Sequence, residues 1–576
     1  MIRYICKKDK LQTVSSICPV CGERTELEGS RIFYCEECHV PLFQPECECC
    51  GKKGKYLTTD IRPVFSQERL LIELILGEPF LFENQSVWCG PQSYFVNGTK
   101  KSIRYKELTQ EQIEQIRNSY ETLNESERQK KQMQKEKEVQ ECFVKANRSR
   151  YEDMVLEAGT YIREKAQKYA YDEMFVSFSG GKDSTVVSDL VMKSLSTPGI
   201  LHIFGDTTLE FPLTEEYVKR FKKEHNKTIV LSSRNKDKDF QELCRQIGPP
   251  SRVMRWCCTI FKTGAISRKI ASLFRNKENI LTFYGIRRNE SASRSKYDRE
   301  SDSPKITKQK TVSPIIDWTD FDVWLYLLTT RIDFNEAYRL GYTRVGCWCC
   351  PNNSGWSEFL AKIHMPEQYQ EFRQLLIDFA RSIGKKDAEV YVDTGKWKAR
   401  QGGNGMEYAK NSIIEFEECA LQENAFNYSL NKPISEQLYE LFKPFGYLNF
   451  DMGNQRLGEV FVLSRAGRPL LKLQGRIGTN TLKVSILDFH IAGCKNMKNA
   501  EEKIKCQLTK YQMCMACLAC ESVCKRDAIK ITENKNNEID YRIDDAKCIR
   551  CAECVGHFIG GCYIRKVLAI KRNKEN

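Results

Sequence analysis

The run Ser179-Gly180-Gly181-Lys182-Asp183-Ser184-Thr185 puts a glycine pair, a lysine, a carboxylate and three hydroxyls side by side. Such a run can grip an oxyanion. The glycines let backbone N–H groups close on the ligand, a following helix N-terminus favours negative charge, and the lysine and hydroxyls add charge and donors. It is not the Walker loop, which needs four residues between its first glycine and Gly-Lys. Two later segments carry matching chemistry. Ile203-Phe-Gly-Asp206-Thr207-Thr-Leu-Glu210 holds two carboxylates, and Tyr284-Gly285-Ile-Arg287-Arg288-Asn-Glu290-Ser291-Ala-Ser-Arg294 holds three arginines. Guanidinium forks suit phosphate and sulfate oxygens.

The 27 cysteines fall mainly into three systems. Near the C-terminus, Cys514-x2-Cys517-x2-Cys520-x3-Cys524 has the bacterial ferredoxin spacing, and Cys548-x2-Cys551-x2-Cys554 is completed by Cys562. Resemblance to two-cluster ferredoxins implies one [4Fe–4S] cluster on Cys514, Cys517, Cys520 and Cys562. It implies a second on Cys548, Cys551, Cys554 and Cys524. Lys525 replaces the usual proline, and the gap before Cys562 is long. Near the N-terminus, Cys18/Cys21, Cys35/Cys38 and Cys47/Cys50 are knuckle-like pairs, two of which make a tetrahedral zinc site. Cys35/Cys38 with Cys47/Cys50 is the compact choice, and Cys18/Cys21 with Cys35/Cys38 is another. The remaining pair stands apart or is completed by Cys6 and Cys49. In the middle, Cys257-Cys258 precedes Cys347-Trp-Cys349-Cys350 by about ninety residues. Outside any ribbon pattern, these thiols read as metal ligands, with Cys349 a competing extra.

Position requires scaffolding. Phe175, Val176 and Phe178 end a buried strand before the glycine pair, and Val186–Met192 continue at helical spacing after it. Asp206 and Glu210 then stand at a strand's C-terminal edge, where ligands of open α/β sheets bind. At 576 residues the chain holds several domains. Its net charge of +14 suits phosphate-bearing partners. No apolar run is long enough for a membrane span, and the first residues lack a signal peptide. A cytoplasmic chain is expected, whose cysteines serve metals better than disulfides. Residues 105–150 read as a solvated, charged helical linker. Residues 431–504 alternate apolar and polar, suggesting a small α+β domain of unassigned role. The ferredoxin halves are the one internal repeat.

The oxyanion run resembles the PP-loop of the adenine nucleotide alpha hydrolase superfamily. With Asp206, the arginine segment, Pro314-Ile-Ile-Asp317-Trp318-Thr-Asp-Phe-Asp322-Val-Trp324, Asn335-Glu-Ala-Tyr338 and the central cysteines, the chain resembles the phosphoadenylyl-sulfate (PAPS) reductase family and its adenylyl-sulfate branch. The resemblance implies a multidomain α/β protein. A zinc ribbon spans 1–56, a PUA-like β-rich domain 57–104, and a doubly wound parallel-sheet PP-loop domain 151–355. A helical extension follows over 356–430, with the ferredoxin-type α+β domain at 505–576. It also implies a third [4Fe–4S] cluster on Cys257, Cys258, Cys347 and Cys350. Phosphosulfate would be bound by Ser179, Gly180, Gly181, Lys182, Asp183, Ser184, Thr185, Arg287 and Arg294, with Asp206 at the pocket edge. The family's nucleophilic cysteine stands in a Glu-Cys-Gly-hydrophobic-His motif. Glu418-Cys419-Ala-Leu-Gln is the nearest match here and lacks the glycine and histidine.

The activity implied is reduction of adenylyl sulfate or its 3′-phosphorylated form to sulfite, with electrons passing from a donor protein through the ferredoxin module. The rival is a PP-loop ATP pyrophosphatase that thiolates tRNA or DNA, for which the PUA-like region would contact RNA.

Overall fold

The computed structural model describes all residues except 1–3, 7, 14–16, 24, 28–30, 304–308, 534–537, 557–561 and 570–576. Two small antiparallel sheets open the chain. Strands β1 (Tyr4–Ile5), β2 (Gln12–Thr13) and β3 (Glu26–Leu27) form the first; β4 (Ile32–Cys35), β5 (Val40–Leu42) and β6 (Lys55–Thr58) form the second. A four-stranded antiparallel sheet follows, of β7 (Arg62–Pro63), β8 (Val87–Cys89), β9 (Tyr94–Val96) and β10 (Thr99–Lys101). Helix α1 (Ser66–Ile75) is inserted after its first strand.

Helices α2 (Gln110–Asn124) and α3 (Glu127–Lys145) occupy the segment expected to be a solvated linker. They are helical but not mere spacers. Ile113, Ile116, Tyr120 and Phe143 are buried, as are Gln129 and Gln132. The charges occupy the outward faces, while apolar and amide side chains at helical spacing dock inward. Helix α4 (Arg148–Ala166) then leads into the central domain. Buried Arg150 makes a two-point ion pair with Asp322 at 2.8 and 2.9 Å and stacks over the Phe43 ring, tying the N-terminal region to the centre.

The central sheet contains β11 (Met174–Phe178), β12 (Leu201–Gly205), β13 (Val230–Ser233), β14 (Ile280–Tyr284), β15 (Glu300–Asp302) and β16 (Gln309–Val312) in the order β13-β12-β11-β14-β16-β15. All neighbours are parallel except edge strand β15. Alternation along β11 sends Met174, Val176 and Phe178 into the main core and Phe175 into a second cluster with Ile270 and Phe274. Both faces are therefore covered. Helices α5 (Lys182–Ser194) and α6 (Pro212–Glu224) follow β11 and β12; α7 (Phe240–Ile247) and α8 (Gly264–Leu273) precede β14; α9 (Asp320–Thr330) follows β16. The chain moves from β11 to β12 on one side and later places β14 on the other. The turn after β11 thus lies at a topological switch point.

Helices α10 (Gly355–His364), α11 (Pro366–Ser382) and α12 (Ala388–Asp393) come next. The expected boundary at 430 shifts. Strands β17 (Glu415–Glu418) and β18 (Ala425–Ser429) belong to the following antiparallel sheet, because β18 pairs with β22 (Thr481–Ile486). Strands β19 (Tyr447–Asn449), β20 (Glu459–Leu463) and β21 (Pro469–Gln474) complete that sheet, and α13 (Glu436–Glu440) lies between β18 and β19. Helix α14 (Met497–Met513) delivers the chain to Cys514. The last region contains α15 (Ala519–Ser522), the hairpin β23 (Ile529–Glu533) and β24 (Ile539–Ile543), α16 (Glu553–Gly556) and α17 (Tyr563–Val567). It docks on α8: Arg268 Nε reaches Glu521 Oε2 at 2.9 Å, and a Cβ on Gly264 would meet Leu518 Cβ at 2.9 Å. Among the described residues, no helix is long and apolar enough to cross a membrane.

Candidate functional site

The oxyanion run forms the turn between β11 and α5. Gly180 has φ +70°, and a Cβ there would approach Thr214 Cγ2 to 2.8 Å, so both conformation and space require glycine. Gly181 caps α5. Ser184 Oγ accepts from Ser179 N–H at 3.2 Å and donates to Gly181 O at 2.9 Å, while Thr185 Oγ1 meets Tyr217 OH at 2.8 Å. The Asn335–Tyr338 segment buttresses the turn. Asn335 Nδ2 donates to Gly180 O, and Tyr338 OH accepts from Lys182 N–H at 2.9 Å.

Charge concentrates on this turn. Lys182 is 4% exposed, and its Nζ lies 3.5 Å from Asp183 Oδ2, 3.3 Å from Asp320 Oδ1 and 3.3 Å from Thr343 O. Burial works against the ammonium, but Asp183 and Asp320 outweigh it and raise its pKa. Arg287, 3% exposed, donates to Asp183 at 2.5 Å and to Asp320 at 2.8 Å. Burial opposes ionisation of Asp183 and Asp320. Lys182 and Arg287 nonetheless hold both carboxyls below the usual range. Asp60, between β6 and β7, accepts N–H bonds from Asp320 and Phe321. Burial and the Asp320 charge push its pKa up to about 7. Of the expected arginines, Arg287 is inside the site and Arg294 borders it, paired with Glu290 and with Arg344, Asp183 and Arg287 as charged neighbours; burial and then Arg344 lower its pKa. Arg288 pairs with Asp317. Asp206 follows β12, accepts from Thr208 N–H and faces Arg234 at 3.9 Å.

Sequence reasoning missed Asp60, Asp320 and Arg344 as site residues. Asp320 stood inside a quoted motif, but the signal for Asp60 is purely tertiary. A close backbone approach completes the crossing: a Cβ on Gly285 would lie 2.7 Å from Asp183 O.

The central cysteines gather beside this site. Glu210 and Cys347 form a β-bridge, and Thr207 Oγ1 is 3.5 Å from Cys347 Sγ. Cys257 precedes a π-helical turn over Cys258–Thr263, a form enriched at functional sites. Cys258, then burial, then Cys347 and Cys349 raise the Cys257 thiol. Cys350 has Cys258 beside it and the cations Arg344 and Arg255 nearby. Cys349 is buried beside Cys347, Cys244 and Cys350.

In the C-terminal region, burial and neighbouring Cys562, Cys520 and Cys514 raise the Cys517 thiol. Cys524, Cys548, Cys551 and Cys554 line one small cavity. Lys510, 1% exposed, stands between the two sets, with Cys520, Cys554, Cys562 and Cys514 around its ammonium. Tyr563 joins this region to the central one: it hydrogen-bonds Thr259 and has Cys258, Cys257 and Cys517 as neighbours.

At the N-terminus, Cys35, Cys38, Cys47 and Cys50 present sulfurs within 4.8 Å of one another, close enough for one metal ion. Cys18 and Cys21 group with Cys6 and Asp9, not with Cys35/Cys38. Cys49 does not complete that second group; it lies by Cys38 and Cys142, because its knuckle turns it toward α3. Cys419 is in the β17–β18 turn. Its described partners are Leu421 and Gln422 in the same turn, Ala425 on β18 and Lys483 on β22. The Leu421 N–H, with help from Lys483, lowers its pKa. The structure therefore does not bring Cys419 to the β11–α5 turn.

Residues 173–353 match the phosphoadenosine phosphosulfate reductase domain. Over 263 residues the chain is 31% identical to an uncharacterized protein of Methanocaldococcus jannaschii, covering 45% of this chain and 60% of that protein. A second uncharacterized protein of that organism is 29% identical over 46% of this chain and 54% of its own length. The chain thus spans little more than half of these two relatives. It is 28% identical to an adenosine 5′-phosphosulfate reductase of Oceanobacillus iheyensis, over 35% of this chain and 82% of that enzyme. Among solved structures, phosphoadenylyl-sulfate reductase from Candida auris aligns at TM-score 0.27 and 16% identity, covering 43% of this chain and 99% of that one.

Proposed function

We propose that this protein is a cytoplasmic sulfonucleotide reductase that converts adenylyl sulfate, or its 3′-phosphorylated form, to sulfite. The observation that carries the reading is the apposition of three features: a buried lysine–arginine pair on a Gly-Gly turn, four converging cysteines beside it, and Tyr563 linking those cysteines to a ferredoxin-like set. The β11–α5 turn would cradle the phosphosulfate with its backbone N–H groups, Ser179, Ser184 and Thr185. Lys182 and Arg287 would meet the charge that grows on the phosphate oxygen as the S–O bond breaks. Arg294 and Arg344 would face the outer oxygens.

The donor sets fit their expected metals. Cys514, Cys517, Cys520 and Cys562, and Cys524, Cys548, Cys551 and Cys554, would each hold a [4Fe–4S] cluster. Cys257, Cys258, Cys347 and Cys350 would hold a third. Cys257 has Cys258 and Cys347 as neighbours and Cys350 has Cys258, the proximity that a shared cluster needs. When bound, these clusters would supply the two electrons that take sulfur from the sulfate to the sulfite level. Cys35, Cys38, Cys47 and Cys50 would hold a structural zinc ion. The Leu421 N–H lowers the Cys419 pKa, but the residue lies at a turn of another sheet, so its role as nucleophile is the separable part of the reading.

The test uses anaerobically purified full-length protein and a low-potential donor. Adenylyl sulfate, its 3′-phosphorylated form, or ATP with RNA is supplied. Sulfite release from either sulfonucleotide is the expected result. ATP-dependent pyrophosphate release with neither sulfonucleotide turned over would overturn the reading in favour of thiolation chemistry. In the same assay, unchanged sulfite production by Cys419→Ser removes that residue from the reaction.

A further inference from the structure

The two N-terminal sheets are copies of one unit offset by 29 residues, so the C-terminal cysteine halves are not the one internal repeat. Strand β1 pairs with β2 at Tyr4↔Thr13 and with β3 at Tyr4↔Leu27; β4 pairs with β5 at Phe33↔Leu42 and with β6 at Phe33↔Tyr56. The same offset converts each pair into its counterpart. The knuckle turns agree as well. Cys18 N–H donates to Glu23 O at 2.8 Å, as Cys47 N–H does to Lys52 O at 2.9 Å. Gly22 N–H donates to Cys18 O, as Gly51 N–H does to Cys47 O. The two glycines have φ +70° and +71°. Even the outer ion pair repeats with its charges exchanged: Lys8–Glu23 at 3.0 Å, Lys52–Glu37 at 2.6 Å.

Under this offset Cys35, Cys38, Cys47 and Cys50 correspond to Cys6, Asp9, Cys18 and Cys21. A carboxylate thus takes the place of one thiolate. The four ligand atoms lie within 4.8 Å of one another in each copy. Cys6 and Cys21 sulfurs are 3.5 Å apart, as are those of Cys35 and Cys50. Asp9 Oδ2 lies 3.3 Å from Cys6 Sγ and 3.1 Å from Cys18 Sγ, against 3.8 Å between Cys47 and Cys38. Zinc binds carboxylate oxygen at about 2.0–2.2 Å and thiolate at about 2.3 Å, so the tetrahedral edges to an oxygen are the shorter ones. We propose that Cys6, Asp9, Cys18 and Cys21 form a second structural zinc site with three thiolates and one carboxylate. The harder oxygen donor binds zinc less covalently than the sulfur it replaces, which makes this ion the more exchangeable of the two.

The test is zinc content, measured separately from iron, and zinc transfer to a chromogenic chelator, both on the full-length protein. Wild type should carry two zinc equivalents and release them in two phases, one equivalent each. Asp9→Ala should lose one equivalent. Asp9→Cys, which restores the four-cysteine set and guards against a folding defect in the alanine variant, should keep two and abolish the fast phase. One equivalent in wild type, two in Asp9→Ala, or an unchanged fast phase in Asp9→Cys would each overturn the assignment.

Discussion

Lys182 and Asp320 meet at 3.3 Å across the junction of α5 and α9, joining two helix N-termini that the fold brings to one point. The same carboxylate receives Arg287 at 2.8 Å. The cations that would grip an anion are thus already neutralised by a group that an incoming phosphate or sulfate must compete with.

Asp320→Asn should therefore tighten binding of pyrophosphate or adenylyl sulfate by about tenfold, since one buried charge at this distance is worth more than 1 kcal/mol. Calorimetric titration checks it. Weaker binding would mean that Asp320 serves to orient the cations rather than to compete with the ligand.

Arg150 and Asp322 are both buried and paired at two points. Asp322→Ala leaves a guanidinium uncompensated in the core and should cost about 3–5 kcal/mol. Urea unfolding followed by tryptophan fluorescence measures it; Trp318 and Trp324 flank the site of change in sequence.

Asp60 sets a pH dependence. Its carboxyl holds its proton up to about pH 7 in the folded protein, against an ordinary value of 3.8. Its contribution to stability is fully present below the ordinary value and is lost as pH rises through about 7. Asp60→Asn, fixed in the neutral form, should melt progressively higher than wild type between about pH 4 and about pH 7. A difference in melting temperature that stays constant over that range would show that Asp60 does not titrate there.

Arg268 on α8 grips Glu521 on α15 and thereby holds the C-terminal cysteine region against the central one. Arg268→Glu places like charges face to face. It should lower sulfite formation by about tenfold, equivalent to 1.4 kcal/mol, while leaving nucleotide affinity and iron content unchanged. Equal turnover in both proteins would show that this docking is not on the electron route.

Local chemistry was legible in the sequence where neighbours in the chain are neighbours in space. Ser179–Thr185 makes its own turn, and the closely spaced C-terminal cysteines bracket their own loops, so chain order alone showed which donor groups these segments bring together. The strand before the glycine pair and the helix after it were legible for the same reason, through their periodicity. Residues 105–150 were legible as helices but not as packed ones, because charge on the outer face masks the few side chains that dock. The edge of the C-terminal sheet was missed because β18 pairs with β22, which the chain reaches more than fifty residues later. Asp60, Asp320, Lys182 and Arg287 converge only when β6–β7, α9, α5 and the β14 loop meet at one sheet edge. Asp9 joins Cys6, Cys18 and Cys21 only through the folding of the first N-terminal sheet. A count of cysteines cannot see a carboxylate in a cysteine's place. The tertiary structure decided these points because an ion pair or a coordination shell is fixed by distances between side chains, and those distances follow from strand order and packing rather than from spacing along the chain.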